Sequence, residues 1–243
     1  LYVGRRSVNT KEAIFFSTLI LLLPVFLIYL QPDVGSLLVL VAIWFGFLFV
    51  LRLRPLYFGL LILVAIIGSI LAWQFALAPY QKDRILTFLK PSLDVSGAGY
   101  NVQQSKIAIG SGSFFGRGLG LGSQSSLNFL PEQETDFIFS VISESLGFLG
   151  GSLFILLYAF LLFRLLQLLD RVTDEFGVFI VLGVFLWFTF QGFANIAMNL
   201  GLVPVLGIPL PLVSYGGSSL MISLLAIGLV ESVCLFSPRG ENS

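Results

Sequence analysis

Residues 128–140 read NFLPEQETDFIFS and mark the point where a long polar segment gives way to a strongly apolar one. Three carboxylates, Glu132, Glu134 and Asp136, lie within five residues of one another. The apolar run that follows contains one further acid, Glu144. Charge at the edge of a membrane segment is costly unless it has a partner or a function. This stretch is therefore the first candidate for a chemical site.

The composition is that of a membrane protein. Hydrophobic residues make up 57% of the 243 residues and charged residues only 11%, whereas a soluble domain carries about 25% charged residues. Thirteen basic and thirteen acidic residues cancel, so the charge gives no indication of nucleic acid binding. The chain has no histidine and one cysteine, Cys234, which excludes an imidazole base, histidine ligands to zinc and an intrachain disulfide.

Apolar runs predict an all-α polytopic fold with about six transmembrane helices. The predicted spans, most of them near the ~20 residues that cross a bilayer, are 13–30, 34–51, 56–77, 137–163, 176–198 and 214–236. Residues 1–77 thus hold three spans, 78–136 one long loop, and 137–243 three more spans and a tail. Since the chain starts at Leu1 and shows no signal-peptide cleavage site, we interpret it as a fragment that lacks its N-terminal part.

The basic residues of the short loops predict the orientation. They occur in every second connection, which places them all on one side of the membrane, and the opposite short loops 31–33 and 199–213 have none. They are Arg5, Arg6, Lys11, Arg52, Arg54, Arg164, Arg171 and Arg239. By the positive-inside rule both chain ends lie in the cytoplasm and 78–136 lies outside. This loop is too apolar for disorder. We expect it to lie against the membrane face, with a short interfacial helix at 101–109.

The loop contains eight glycines from Gly97 to Gly122, including the run GSGSFFGRGLGLG. The run matches neither GxGxxG nor the P-loop pattern, and no strand–helix unit surrounds it. A flexible or closely packed turn is the better interpretation, although its backbone amides remain candidates for holding an anion.

The acids each have two interpretations. Asp136 is either a helix N-terminal residue that satisfies free amides, a role open to Thr135 as well, or a catalytic group. Glu144 lies about 12 Å further along the helix axis, where an acid must face the protein interior. For Glu144 we favour a structural hydrogen bond or ion pair over direct chemistry.

The fifth predicted span carries a polar stripe, because Gln191, Asn195 and Asn199 recur at i, i+4 spacing. Amides in membranes usually join helices, and lining a polar cavity is the alternative. The next segment, PVLGIPLPLVSYGGSS, holds too many prolines and glycines for a regular helix and must be buried or line a cavity. Asn195 and Ser214 are the cavity candidates.

Five stretches together resemble the shape, elongation, division and sporulation (SEDS) family: QPDVG, DRILTFLKP, GYNVQQSKIAIGSG, LNFLPEQETDFIF and NIAMNLGLVPVLGIPLPLVSYGGSS. The resemblance covers essentially the whole chain and is closer to the RodA branch than to the FtsW branch. It implies the last six of ten helices of a peptidoglycan glycosyltransferase in the bacterial cytoplasmic membrane. The implied substrate is lipid II, and the implied partner is a class B penicillin-binding transpeptidase.

The resemblance also implies site residues on the extracytoplasmic side. Asp136 matches the family's essential aspartate, while Glu134 stands where a histidine is common and Ser145 where a second acid is common. Polymerisation needs a base for the acceptor hydroxyl and positive charge for the departing pyrophosphate. The pyrophosphate or cavity candidates are Arg84, Lys90, Lys106, Glu132, Glu144, Asn195 and Ser214. Mg²⁺ or Mn²⁺ could share this task, although no ligand set is readable from the sequence.

Two other functions remain open, and membrane lipid is a partner in each. A transporter or flippase of a lipid-linked precursor would also have a polar stripe, broken helix ends and an intramembrane acid. A scaffold that only holds a transpeptidase is the third possibility. An acid beside clustered cations favours an inverting glycosyltransferase with one base, whereas a continuous polar path across the bilayer would favour the transporter.

Overall fold

All regular structure is helical in the residues that the computed structural model describes, which are 10–50, 55–90, 97–122, 124, 129–130 and 132–236. The helices are α1 (Thr10–Leu30), α2 (Val34–Val50), α3 (Pro55–Leu71), α4 (Pro79–Leu89), α5 (Ala98–Ser111), α6 (Ile138–Leu169), α7 (Glu175–Asn199) and α8 (Gly217–Phe236). A π-helical turn, Ala72–Ala76, continues α3. Helices therefore occur at all six predicted spans.

The helices have the length and composition of membrane spans. Four segments are long and apolar enough to cross a bilayer: Pro55–Phe75, Ile138–Leu169, Glu175–Asn199 and Gly217–Phe236. The apolar parts of α1 and α2, Ile14–Leu30 and Val34–Val50, are shorter. Large apolar side chains are exposed along α1, α3, α6 and α8, at a density that belongs in lipid rather than in water. The chain is a multi-pass membrane protein.

The predicted loop contains two helices. α5 forms where a helix was expected at 101–109 and extends beyond it at both ends. α4 was not predicted, because its sequence PYQKDRILTFL resembles a polar connection. The signals for it were Pro79 in the first turn and Gln81, whose side chain accepts the Ala78 amide at 2.9 Å, both of which favour a helix start.

α6 is interrupted at Gly147, whose φ of 68° and ψ of −165° lie outside the helical region. The glycine-rich run packs into this interruption. Four backbone hydrogen bonds replace helical ones and join Phe148 to Ser113, Leu149 to Phe114, Arg117 to Glu144 and Gly118 to Ser145. The run is thus a closely packed turn, and its Arg117 and Gly118 amides donate to α6 rather than to an anion.

The positive-inside pattern predicted that the α1–α2 turn, the long loop and the α7–α8 segment lie on the same side of the membrane, and these three segments contact one another. The Tyr80 hydroxyl and the Gln81 amide donate to the Pro32 carbonyl at 3.0 and 3.2 Å, which joins α4 to the α1–α2 turn. The Tyr215 amide donates to the Glu134 carbonyl at 2.8 Å, which joins the α7–α8 segment to the start of α6. Apart from Arg164 and Arg171, the side chains of the basic residues in that pattern lie outside the described part of the chain.

Candidate active site

Asp136 lies in the turn of residues 132–137 that leads into α6. The helix takes Phe137 as its N-cap residue, without a side-chain hydrogen bond. The Thr135 hydroxyl donates to the carbonyl and carboxylate of Glu132 instead, at 3.2 and 3.1 Å. The capping interpretation of Asp136 and Thr135 is therefore wrong. Among the described residues, none donates a hydrogen bond to the half-buried Asp136 carboxylate.

The surroundings of Asp136 favour its protonated form. Burial raises the pKa of the Asp136 carboxyl above its usual range, the Glu132 carboxylate raises it further, and the Arg84 guanidinium lowers it. Glu132 has a φ of 54°, a conformation uncommon for a residue other than glycine. A carboxylate with a raised pKa is a better proton acceptor than an exposed one, because the most effective base titrates near the working pH.

Gly207 lies between Asp136 and Arg84. Its φ is 69°, and a Cβ added there would lie 3.7 Å from the Arg84 Nη1 and 3.7 Å from the Asp136 Oδ2. The carboxylate and the guanidinium thus flank one small space that any side chain at this position would enter. Sequence reasoning did not single out Gly207, and its only signal was a glycine inside an irregular segment that had to line something.

Two cavities meet at Arg84. The first, of about 330 Å³, lies between α4, α5 and the α7–α8 segment and includes Lys106. The second, of about 550 Å³, lies between the α1–α2 turn, α4 and the same segment and reaches Gly207. Both are large enough for part of a substrate. The Arg84 guanidinium also lies 6.0 Å from the centre of the Tyr80 ring, a favourable cation–π arrangement.

The predicted cations differ in whether they line the two cavities. Arg84 and Lys106 line the cavities, and the Lys106 side chain lies so close over Gly201 that a Cβ there would collide with it. Lys90 is exposed just beyond the end of α4 and lines neither cavity. Arg117 is exposed in the glycine-rich turn, where its Nε donates to the Ser111 carbonyl at 3.1 Å.

Glu144 serves the fold. It is fully buried, and its Oε1 accepts the Gln124 amide at 2.9 Å and the Ser111 hydroxyl at 3.4 Å. These bonds join α6 to α5 and to the segment after the glycine-rich turn. The structural interpretation of Glu144 is confirmed, and the residue lines neither of the two cavities.

The polar stripe of α7 holds backbone carbonyls. The three side chains are buried, and their amide nitrogens donate from Gln191 to Pro209 at 2.7 Å, from Asn195 to Ile208 at 2.8 Å and Asp136 at 2.9 Å, and from Asn199 to Asp136 at 2.9 Å. The stripe therefore joins elements, as the more usual interpretation held. Asn195 does not line either cavity.

Ser214 joins two loops and lines neither of the two cavities. Its hydroxyl donates to the Thr135 carbonyl and accepts the Leu210 amide at 2.7 Å. It precedes α8, which begins at Gly217 rather than at the predicted position 214. Ser214 fixes the α7–α8 segment to the turn that carries Asp136.

Metal ligands are sparse in the described residues. No group of three or more Asp, Glu, His or Cys side chains among them is placed to hold an ion. Mg²⁺ or Mn²⁺ needs about six oxygen ligands and often takes several from substrate phosphates. The described residues therefore do not form a protein cage for either ion.

Relatives were identified by sequence. The peptidoglycan glycosyltransferase MrdB of Escherichia coli K12 is 43% identical over 218 residues, which cover 88% of this chain and 58% of the relative. Stage V sporulation protein E of Bacillus subtilis 168 is 39% identical over 237 residues, which cover 96% of this chain and 63% of the relative. The chain thus spans about three fifths of the length of these curated relatives.

Solved structures share the fold. A chain of a peptidoglycan synthase complex that coordinates polymerisation and crosslinking superposes with a TM-score of 0.73 at 32% identity. The match covers 99% of this chain and 66% of that one. A mutant of the Thermus thermophilus rod shape determining protein RodA superposes with a TM-score of 0.62 at 26% identity, covering 98% and 61%. The FtsW/RodA/SpoVE family model matches residues 3–237, and the chain belongs to this family of cell cycle proteins.

Proposed function

We propose that the chain is the catalytic portion of a peptidoglycan glycosyltransferase that polymerises lipid II. The observation that carries the proposal is the half-buried Asp136 carboxylate, with its raised pKa, which lies across Gly207 from Arg84. Arg84 in turn lines both cavities. The name of the E. coli relative, a peptidoglycan glycosyltransferase, supports the same activity.

In the proposed reaction Asp136 is the general base. It takes the proton of the acceptor sugar hydroxyl while that oxygen attacks the anomeric carbon of the donor sugar. The bond to the donor's lipid pyrophosphate breaks, and the pyrophosphate leaves with the electron pair. Direct displacement inverts the anomeric configuration. Arg84 and Lys106 stabilise the negative charge that develops on the leaving group.

No step of this reaction is assigned to a divalent cation, because the described residues lack a cage for one. If Mg²⁺ or Mn²⁺ takes part, the pyrophosphate oxygens supply most of its ligands. Its contribution would be to neutralise the charge on the leaving group.

The same geometry weighs against a transporter. In the described residues, the amides of the α7 stripe donate to backbone carbonyls, and Glu144 accepts a backbone amide and a hydroxyl. These groups are the ones that would have formed a polar path through the bilayer. They hold loops in place instead, so the structure gives the transporter no specific support.

The test of the proposed activity is polymerisation of purified lipid II by the full-length protein in detergent, where flipping across a membrane is irrelevant. The partner that we propose, a class B penicillin-binding transpeptidase with its own active site inactivated, is added in a parallel reaction. Glycan strands longer than the dimer are the expected product. If lipid II stays unpolymerised in both reactions, the chain is not a polymerase.

We place the active site on the extracytoplasmic side of the cytoplasmic membrane, on the strength of the positive-inside pattern. A cysteine introduced at the exposed Asp83 of a cysteine-free protein should react with an impermeant maleimide in intact spheroplasts. A cysteine at the exposed Thr173, between α6 and α7, should react only after permeabilisation. Labelling of position 173 in intact spheroplasts would reverse the orientation and the proposed side of the site.

Neutralisation of the cavity cations should lower turnover. We expect Arg84→Gln and Lys106→Gln to reduce lipid II turnover about 10- to 100-fold, because each removes charge beside the departing pyrophosphate. Lys90→Gln and Arg117→Gln are matched controls on exposed cations and should change turnover less than about twofold, as surface charges usually do. Equal, small effects at all four positions would argue against a pyrophosphate site at these cavities.

The pH profile should report the charges around Asp136. A general base works when deprotonated, so turnover falls as the pH drops below its pKa. Since Glu132 raises that pKa, Glu132→Gln should move the acid limb of turnover to lower pH. The control Glu175→Gln, at the distant start of α7, should leave the limb in place. A limb that does not respond to Glu132→Gln belongs to another group.

A further inference from the structure

A buried hydrogen-bond network fixes the backbone of the residue that carries the proposed base. The Asp136 carbonyl accepts from both Asn195 and Asn199, at 2.9 Å each. The Asn199 Oδ1 in turn accepts the amide and the hydroxyl of Ser140, at 3.1 and 2.7 Å. Asn195, Asn199 and Ser140 are fully buried. A buried amide that uses both its donor and its acceptor side in this way has one orientation.

The network reaches the two other parts of the site. On one side, the Asn199 carbonyl accepts the Ser105 hydroxyl at 2.6 Å, and Ser105 immediately precedes Lys106 on α5. On the other side, Asn195 also donates to the carbonyl of Ile208, at 2.8 Å. Ile208 follows the glycine that separates the carboxylate from the guanidinium. One set of buried bonds therefore connects the base, the α5 cation and the segment between base and guanidinium.

We propose that Asn199, together with Asn195 one turn before it, is a positioning residue for Asp136. The pair sets where the carboxylate lies relative to Lys106 and how far it is withdrawn from water. Both residues act through the Asp136 backbone rather than by contact with the reacting atoms. The inference rests on the proposed glycosyltransferase activity and adds residues that the catalytic chemistry alone would not identify. Misplacing a catalytic group by about 1 Å can cost up to ~100-fold in rate.

The chain contains a matched control for this role. Gln191 lies on the same stripe and donates to the Pro209 carbonyl at 2.7 Å. It has no hydrogen bond to Asp136. Asn199→Leu and Gln191→Leu each replace a buried amide by an apolar side chain, so both remove stripe hydrogen bonds and both destabilise the fold. Of the two, only Asn199→Leu removes a hydrogen bond to the Asp136 backbone.

The experiment measures lipid II turnover, KM and the pH profile for full-length Asn199→Leu, Gln191→Leu and wild-type protein, each corrected for its folded fraction. For Asn199→Leu we expect kcat to fall about 10- to 100-fold, with KM within about twofold. Its acid limb should move to lower pH. Burial is what raises the pKa of the Asp136 carboxyl, and a carboxylate that gains water returns towards its usual pKa. Gln191→Leu should keep the wild-type limb and a kcat within about threefold.

Each result decides one question. An unchanged acid limb in Asn199→Leu, with a loss of kcat equal to that of Gln191→Leu, would reduce Asn199 to a merely structural residue. If Asn199→Leu does not fold, Asn195→Ala provides the same comparison, since it also removes a hydrogen bond to the Asp136 carbonyl. An unshifted limb there would also overturn the proposal. Absence of polymerisation by the wild-type protein would instead refute the proposed function itself.

Discussion

Asp136→Asn is expected to lower lipid II polymerisation by about 10²- to 10⁴-fold, the usual contribution of a positioned general base. The amide keeps the size of the side chain but cannot take a proton from the acceptor hydroxyl. The bonds from Asn195 and Asn199 reach the carbonyl of residue 136, so the substitution leaves them intact. The measurement is turnover by the purified full-length protein with lipid II in detergent.

The stability of Asp136→Asn separates a catalytic loss from a folding loss. A folded-state pKa above the usual range means that ionisation of Asp136 opposes folding. This penalty develops as the pH rises from the unfolded-state pKa to the raised folded-state pKa, and above the latter it is fully present. The neutral amide removes the penalty. The melting temperature in detergent should therefore be equal to the wild-type value or slightly higher at neutral and alkaline pH.

Two comparisons make this prediction specific. Glu132→Gln should lose far less turnover, since the Glu132 carboxylate acts only on the pKa of Asp136. Glu134→Gln keeps the carbonyl that accepts the Tyr215 amide and should also remain active. An Asp136→Asn protein that polymerises at the wild-type rate would end the general-base role and return the transporter to consideration.

The spans were predictable, and Asp136 could be proposed as the base, because each depends on a local signal. Apolar runs near 20 residues identify helices that cross a bilayer without reference to the rest of the chain. Basic residues in short loops likewise predict which side of the membrane each loop lies on, without reference to distant parts of the chain. Asp136 stood out because a carboxylate at the start of an apolar run carries a cost that needs a reason, and because the residues around it match a family motif.

The contacts of the site were not predictable, since they join residues far apart in the chain. The side-chain amide of Asn195 could either line a cavity or donate to a backbone carbonyl, and the amino-acid sequence does not distinguish these two roles. The choice depends on the carbonyls of Asp136 and Ile208, which reach it from different loops. The same holds for Ser214, whose partners are the backbone groups of Thr135 and Leu210, and for Glu144, whose shortest hydrogen bond comes from the Gln124 backbone amide.

Gly147→Ala is expected to destabilise the fold by at least about 3 kcal/mol. Its φ and ψ of 68° and −165° belong to a region that glycine alone occupies readily. A Cβ there would also lie 2.2 Å from the Gly116 amide nitrogen and 2.7 Å from the Phe114 carbonyl oxygen. Both neighbours are backbone in the closely packed turn, so they cannot move aside as a flexible side chain would.

Substitutions at two other glycines distinguish the cost of backbone strain from the cost of a steric clash. Gly120 has a φ of 75° with nothing within 4 Å of an added Cβ, so Gly120→Ala tests strain alone and should cost about 1–2 kcal/mol. Gly110 lies inside α5 and also has open space, so Gly110→Ala should be neutral or stabilise by up to about 1 kcal/mol. The measurement is the thermal midpoint of each purified variant in detergent, followed by intrinsic fluorescence and by size-exclusion chromatography.

The order of the three midpoints tests how α6 and the glycine-rich turn are packed. If Gly147→Ala melts no lower than Gly120→Ala, the turn does not occupy the interruption of α6. The expected order, with Gly147→Ala lowest, has a consequence for the site as well. The same interruption brings Gly112 and Gly116 against the backbone of Ser143 and Ser145, so α5 is held to the first turns of α6. Loss of that packing should separate Lys106 from Asp136 and lower turnover together with stability, whereas Asp136→Asn lowers turnover alone.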